Sequence, residues 1–269
     1  MAGILESDTC HVRLVCLARL NVADWIGNSI RCFCRRWIRG HHGSVALYRF
    51  QNVVPPQNKK TNINMTPEYW NEACAALSKR DKVMNKLIKA YPEAQLRTRG
   101  DPFQTLARAI VGQQISVKAA QSVWNRTAAV VGEITPGNML LATPENLRAA
   151  GNSRQKIAYM QDLAAHFSDG RIKPKRWHRM PDDDVIAELV EVKGIGIWTA
   201  EMFLIFYLMR PNIWPIDDIG VIRAVEKHYH GGDRLEKAEV QWYFARFAPW
   251  CTVATWYLWR SLDPIPVEY

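Results

Sequence analysis

The chain is 269 residues long and 48% hydrophobic, with 11 tryptophans and a formal net charge of +9. This apolar content supplies a sizeable core and excludes global disorder, while the length allows one large domain or two ordinary ones. No apolar run approaches the ~18 residues of a membrane span, no signal-peptide core is visible, and the cysteines lack a disulfide-scaffold spacing, which favours a reducing compartment.

Residues 1–64 differ from all that follow. They carry nine Lys/Arg against three Asp/Glu, leaving 26 basic and 23 acidic residues in the rest of the chain. A nucleic-acid contact made by the body would therefore use a local patch and not a broad positive field. Arg31-Cys32-Phe33-Cys34-Arg35-Arg36-Trp37 and the polar stretch from Pro55 to Asn64 show no sustained helical or alternating pattern. Cys32 and Cys34 with His41 and His42 are too loosely spaced for a zinc site. We read 1–64 as a poorly structured N-terminal extension, with Met65 as the native start. An arginine-rich targeting peptide is the rival, opposed by Glu6 and Asp8 near the terminus.

Residues 65–269 read as one all-α domain. Thr66 and Pro67 supply an N-cap and a first helical position. Asp101-Pro102 opens a helix through Leu106, Ala109 and Ile110, and Ser116 caps the next, through Val123 and Trp124. Thr143-Pro144-Glu145 and Ser153 open two more. Pro181, followed by three aspartates, begins another with Val185, Ile186, Leu189 and Val190 on one face. No run of period-2 strands and no β-hairpin signal occurs.

Two stretches carry the chemistry. Val192-Lys193-Gly194-Ile195-Gly196-Ile197-Trp198-Thr199-Ala200 reads as a glycine hairpin between two helices. Glycine at 194 and 196 permits positive φ and a close approach of another backbone. Amides opening the second helix would form an anion site reinforced by its dipole. A helix–turn–helix corner without any ligand has the same local pattern. Missing its third glycine, and following no strand, the loop is a poor dinucleotide site. Asp217-Asp218 then stands before Ile219-Gly220-Val221-Ile222-Arg223, where one carboxylate is expected to cap the next helix. A phosphate-gripping hairpin beside a carboxylate suits chemistry on the sugar of a nucleotide.

Leu189 to Ala200 together with Asp217-Asp218 resembles the helix-hairpin-helix DNA glycosylases, in particular the DNA-3-methyladenine glycosylase II type. Ala109-Ile110-Val111-Gly112-Gln113-Gln114-Ile115-Ser116 matches the same family's glutamine-containing turn, and the similarity runs over about residues 66–262. The resemblance implies two helical lobes with a cleft between them, and places the catalytic aspartate on Asp218, with Asp217 shaping the turn. Bifunctional members carry a lysine directly before the Thr-Ala of the hairpin; Trp198 stands there, which implies a monofunctional hydrolase without lyase activity. Near the C-terminus only Cys251 is present, so the four-cysteine iron–sulfur cluster of other branches is not expected.

The resemblance further implies a base pocket walled by Trp198 and Trp259. Met202 replaces one of the family's pocket aromatics, which bears on the range of bases accepted. It places Gln114 where the family inserts a side chain into the duplex. Phosphate contacts would come from the amides of Gly194, Gly196 and Trp198, with Lys193 in support, and Arg154 and Lys156 could touch the backbone. A sodium or potassium ion on hairpin carbonyls is the only metal implied, with no other cofactor. The expected partner is double-stranded DNA carrying alkylated bases, met by a monomer in the cytoplasm, associated with the nucleoid; the family's further N-terminal mixed α/β domain has no counterpart in 1–64. Two other readings remain open: a related glycosylase for a different damaged base, and a non-catalytic module that binds distorted DNA. An anion-binding metabolic enzyme would need titratable residues that the pattern does not supply.

Overall fold

A computed structural model describes residues 66–93, 95–97 and 101–262. The expectations for residues 1–64 lie outside the described residues. Among the described residues the protein is all-helical, with thirteen helices and no strand.

Helices α3 (Pro102–Gly112), α4 (Val117–Val131), α5 (Pro136–Leu141), α6 (Pro144–Ala149), α7 (Arg154–Ser168), α8 (Pro174–Trp177), α9 (Asp182–Val190) and α10 (Ile197–Phe206) are consecutive. Among them, α7 packs on α3, α5 and α6, and α10 packs on α9 and α3. The first and last described helices meet in a second group. There α1 (Trp70–Arg80) and α2 (Lys82–Ala90) pack on α13 (Cys251–Arg260), which also contacts α11 (Ile219–Tyr229) and α12 (Lys237–Phe247).

Local chemistry explains most helix starts. Asp101, Ser116, Thr135, Thr143 and Ser153 each accept a backbone N–H through the side chain at an N-cap, a contact worth about 1 kcal/mol apiece. The first helix departs from expectation. It begins at Trp70, after a turn closed by Trp70 N–H on Pro67 O, while the Thr66 hydroxyl donates to Gln95 Oε1. Burial of Trp70, Ala73 and Leu77 sets the register there instead of the Thr-Pro start signal. On α9, Val185 and Leu189 are buried but Val190 is exposed, because the helix stops there and turns into the hairpin.

Helix α13 is buried at every position from Cys251 to Leu258, so it is the central element of its group. The loop between α10 and α11 is pinned from both groups. Tyr69 Oη donates to Met209 O at 2.9 Å, Thr252 N–H to Pro211 O at 3.0 Å, and Arg210 pairs with Asp182 at 3.2 Å. That pinning carries the chain to Asp217-Asp218 in a defined position.

Candidate active site

The hairpin runs from the Glu191 C-cap of α9 to the Gly196 N-cap of α10. Gly194 has φ +83°, a left-handed conformation, and a Cβ there would lie 2.1 Å from the Tyr159 ring. Both demands exclude a side chain. Only Gly194 uses this freedom: Gly196 has φ −94° and open space around it, so it is a helix entry and not a strained corner. The amides of Gly194 and Gly196 make no hydrogen bond among the described residues. Asp162 of α7 accepts Lys193 N–H at 2.9 Å, and its other oxygen lies 3.8 Å from Lys193 Nζ, which stays largely in solvent. This end of the hairpin is held by α7, while the two glycine amides are left without a bond among the described residues.

Asp218 is the N-cap of α11. Its Oδ1 accepts Val221 N–H at 2.8 Å and Trp259 Nε1–H at 2.8 Å, and its Oδ2 accepts Trp198 Nε1–H at 2.9 Å. Three N–H groups from three helices therefore fix a half-buried carboxylate in orientation. The same aspartate caps a helix and joins two indoles. Asp217 points elsewhere, pairing with Lys237 at 2.6 Å on the surface. Gly220 keeps the approach open, since a Cβ there would lie 2.9 Å from Trp259 and 3.0 Å from Asp218 Oδ1.

Trp198, Met202 and Phe206 follow each other at four-residue intervals along α10. Trp198 is 38% exposed, and Met202 is buried. Phe206 stacks on Trp259, with ring centroids 5.8 Å apart and planes 8° off parallel. The structure thus brings Trp198, Trp259 and Asp218 into direct contact. Phe206 was not singled out from sequence, although its spacing from Trp198 placed it on the same stripe. Glu201 was also missed. Burial pushes its carboxyl up to about 7, the charges of Asp217 and Asp218 push the same way, and Lys237 opposes them.

The other predicted residues lie apart from this carboxylate. Gln114 is exposed in the turn between α3 and α4, with φ +59°, unusual for a residue with a side chain. Neighbouring Ile115 and Val117 are exposed as well, at 40% and 68%. Arg154 is exposed and its side chain makes no hydrogen bond or ion pair among the described residues. Lys156 Nζ donates to Val111 O at 2.7 Å, and burial lowers its pKa. Gln113, passed over in favour of its neighbour, donates through Nε2 to Gly194 O at 2.8 Å. No local signal reports a bond spanning 81 residues.

Residues 107–249, just over half of the chain, match the model of the HhH-GPD superfamily base excision DNA repair proteins. A Schizosaccharomyces pombe DNA-3-methyladenine glycosylase is 33% identical over 195 residues, covering 70% of this chain and 84% of that protein. The chain belongs to the HhH-GPD superfamily of base excision DNA repair proteins. Solved structures agree. A DNA-3-methyladenine glycosidase from Bacillus halodurans superposes with a TM-score of 0.63 at 31% identity, over 76% of this chain and 94% of that one. A Schizosaccharomyces pombe 3-methyladenine DNA glycosylase in complex with abasic DNA gives 0.62 at 29% identity, over 74% and 98%. Among the described residues, no helix of this family member is long and apolar enough to cross a membrane.

Proposed function

We propose that the protein is a monofunctional DNA glycosylase that removes alkylated purines such as 3-methyladenine from double-stranded DNA, leaving an abasic site. The observation that carries this is the Asp218 carboxylate aimed by two indoles, one on the helix that opens from the hairpin and one on α13. Alkylation at N3 or N7 leaves the purine positively charged, so the base departs as a neutral molecule and needs no general acid. The C1′–N bond breaks with its electron pair going to the base. Positive charge then grows on the sugar, and Asp218 stabilises it through space, as the carboxylates of sugar hydrolases do. Water adds to C1′ and passes its proton to Asp218.

The base reaches this carboxylate by leaving the stack. Trp198 and Trp259 then offer electron-rich faces to a cationic ring, through stacking and cation–π attraction. Phe206 backs Trp259, and Met202, buried one turn after Trp198 on the same helix, adds a polarisable thioether to that stripe. Gln114 enters the space vacated in the duplex, while the Gly194 and Gly196 amides, with Lys193 and Arg154 alongside, hold phosphates.

With tryptophan at 198 and no lysine directly before Thr199, hydrolysis is the whole reaction and the backbone stays intact. A duplex treated with a methylating agent, incubated with the protein, tests both parts. Chromatography should find free 3-methyladenine, and a denaturing gel should show strand breaks only after alkaline cleavage of the abasic site. Methylated DNA returned unchanged overturns the glycosylase, and strand breaks before alkali overturn the monofunctional assignment.

A further inference from the structure

Three side chains of α7, at 156, 159 and 162, form one stripe beneath two separate DNA-facing features. Lys156 Nζ donates to Val111 O in the last turn of α3 at 2.7 Å. Tyr159 lies against Gly194, and Asp162 accepts Lys193 N–H at 2.9 Å. The end of α3 and the hairpin are thus mounted on a common helix. Gln113, the C-cap of α3, closes the triangle directly through its bond from Nε2 to Gly194 O at 2.8 Å. The next residue is Gln114, held at φ +59° at the tip of the turn. A conformation of that kind persists only where its surroundings over-determine it. Gln113, anchored on one side to α3 and on the other to the hairpin, is the nearest such restraint.

We propose that Gln113 is a positioning residue that locks the duplex-intruding turn to the phosphate-gripping hairpin at one separation. It rests on the intruding role of Gln114 and the phosphate role of the hairpin set out above. The lock matters only in the complex that uses both features at once. On intact duplex the hairpin, still seated on Tyr159 and Asp162, grips phosphates without help from the turn. On a duplex with a vacated base position, the turn enters while the hairpin holds, and a loose turn spends entropy to find its register. Gln113 therefore contributes to preference for the opened site and little to general DNA affinity.

The test compares wild type with Gln113→Met, which keeps the length and removes the donor, and Gln113→Asn, which keeps the amide but falls a methylene short. Dissociation constants are measured at fixed salt on a duplex holding a tetrahydrofuran abasic-site analogue and on the same duplex undamaged, with thermal melting of each protein alongside. Both variants should bind the abasic duplex about tenfold more weakly, the loss of one well-placed hydrogen bond. Their affinity for undamaged duplex should stay within twofold of wild type, with melting only a few degrees lower, as expected for one part-buried hydrogen bond. Equal losses on both duplexes, or none on either, overturn the proposal. A wild-type protein with no preference for the abasic duplex overturns the intruding turn itself and the proposal with it, whereas preference kept in the variants overturns the lock alone.

Discussion

Asp218→Asn separates the structural from the chemical work of one side chain. Asparagine caps a helix about as well as aspartate, and its carbonyl oxygen can keep the bonds from Val221 N–H and Trp259 Nε1–H, both 2.8 Å in the native protein. Its amide would replace Oδ2, so an N–H would face Trp198 Nε1–H across 2.9 Å and that bond is lost. At a half-buried site this costs about 1 kcal/mol, or roughly 2–4 °C in melting temperature for a domain of this size. The chemical cost is larger. Removing one preorganised electrostatic partner of the transition state typically slows a reaction by about 10²–10³-fold. Single-turnover release of base from methylated duplex, with enzyme in excess, should therefore fall at least a hundredfold in a protein that melts nearly as the wild type does. Asp218→Ala, which also loses the cap, should lose the same activity and melt several degrees lower. Excision by Asp218→Asn within tenfold of wild type would refute the argument and leave Asp218 as a helix cap.

Gly194→Ala must place a methyl group 2.1 Å from the Tyr159 ring at φ +83°, so the hairpin shifts, and DNA affinity measured by fluorescence anisotropy should drop more than tenfold; Gly196→Ala, at φ −94° with nothing within 4 Å, should melt as wild type does. Glu201 titrates in the folded protein at about 7 instead of 4.5, with burial as the main cause and the neighbouring aspartates adding to it. A raised carboxyl pKa means that its contribution to stability is full below about 4.5 and is lost as pH rises to about 7. Glu201→Gln should therefore match wild type in melting at pH 4.5 and exceed it at pH 8 by about 1 kcal/mol, after discounting the shift for solvent screening; a difference independent of pH would count against this. Asp81 is buried and accepts Met84 N–H, Tyr229 Oη–H at 3.0 Å and Arg246 Nε–H at 2.6 Å, joining α2 to α11 and α12. Arg246→Ala would leave that carboxylate without its cation, though still bonded to Met84 N–H and Tyr229 Oη–H, and should destabilise the fold by about 2 kcal/mol, read as a lower urea midpoint; an unchanged midpoint would show the pair to be replaceable.

Much of the helical skeleton was legible because its signals are local. Asp101, Ser116, Thr143 and Ser153 each sit three residues before the amide they accept, and the structure has helices opening at all four. The hairpin was legible for the same reason, since a backbone corner demanding glycine reports itself in a few residues. Thr66-Pro67 carried an equally good local signal and failed, because packing of Trp70 and Leu77 decides where α1 begins. Helix α13 gave no amphipathic stripe to read, being buried on every side.

The candidate site divides along the same line. Sequence placed Asp218 at a helix entrance and Trp198 beside a hairpin, both being properties of neighbours in the chain. That Trp198 and Trp259 share one carboxylate, that Phe206 stacks on Trp259, and that burial raises Glu201 to about 7 are decided by α10, α11 and α13 packing together. The Gln113–Gly194 bond belongs with them, joining residues 81 positions apart. Such contacts depend on which faces meet in space, and a pattern of period 3.6 specifies which face of a helix is apolar but not which partner covers it.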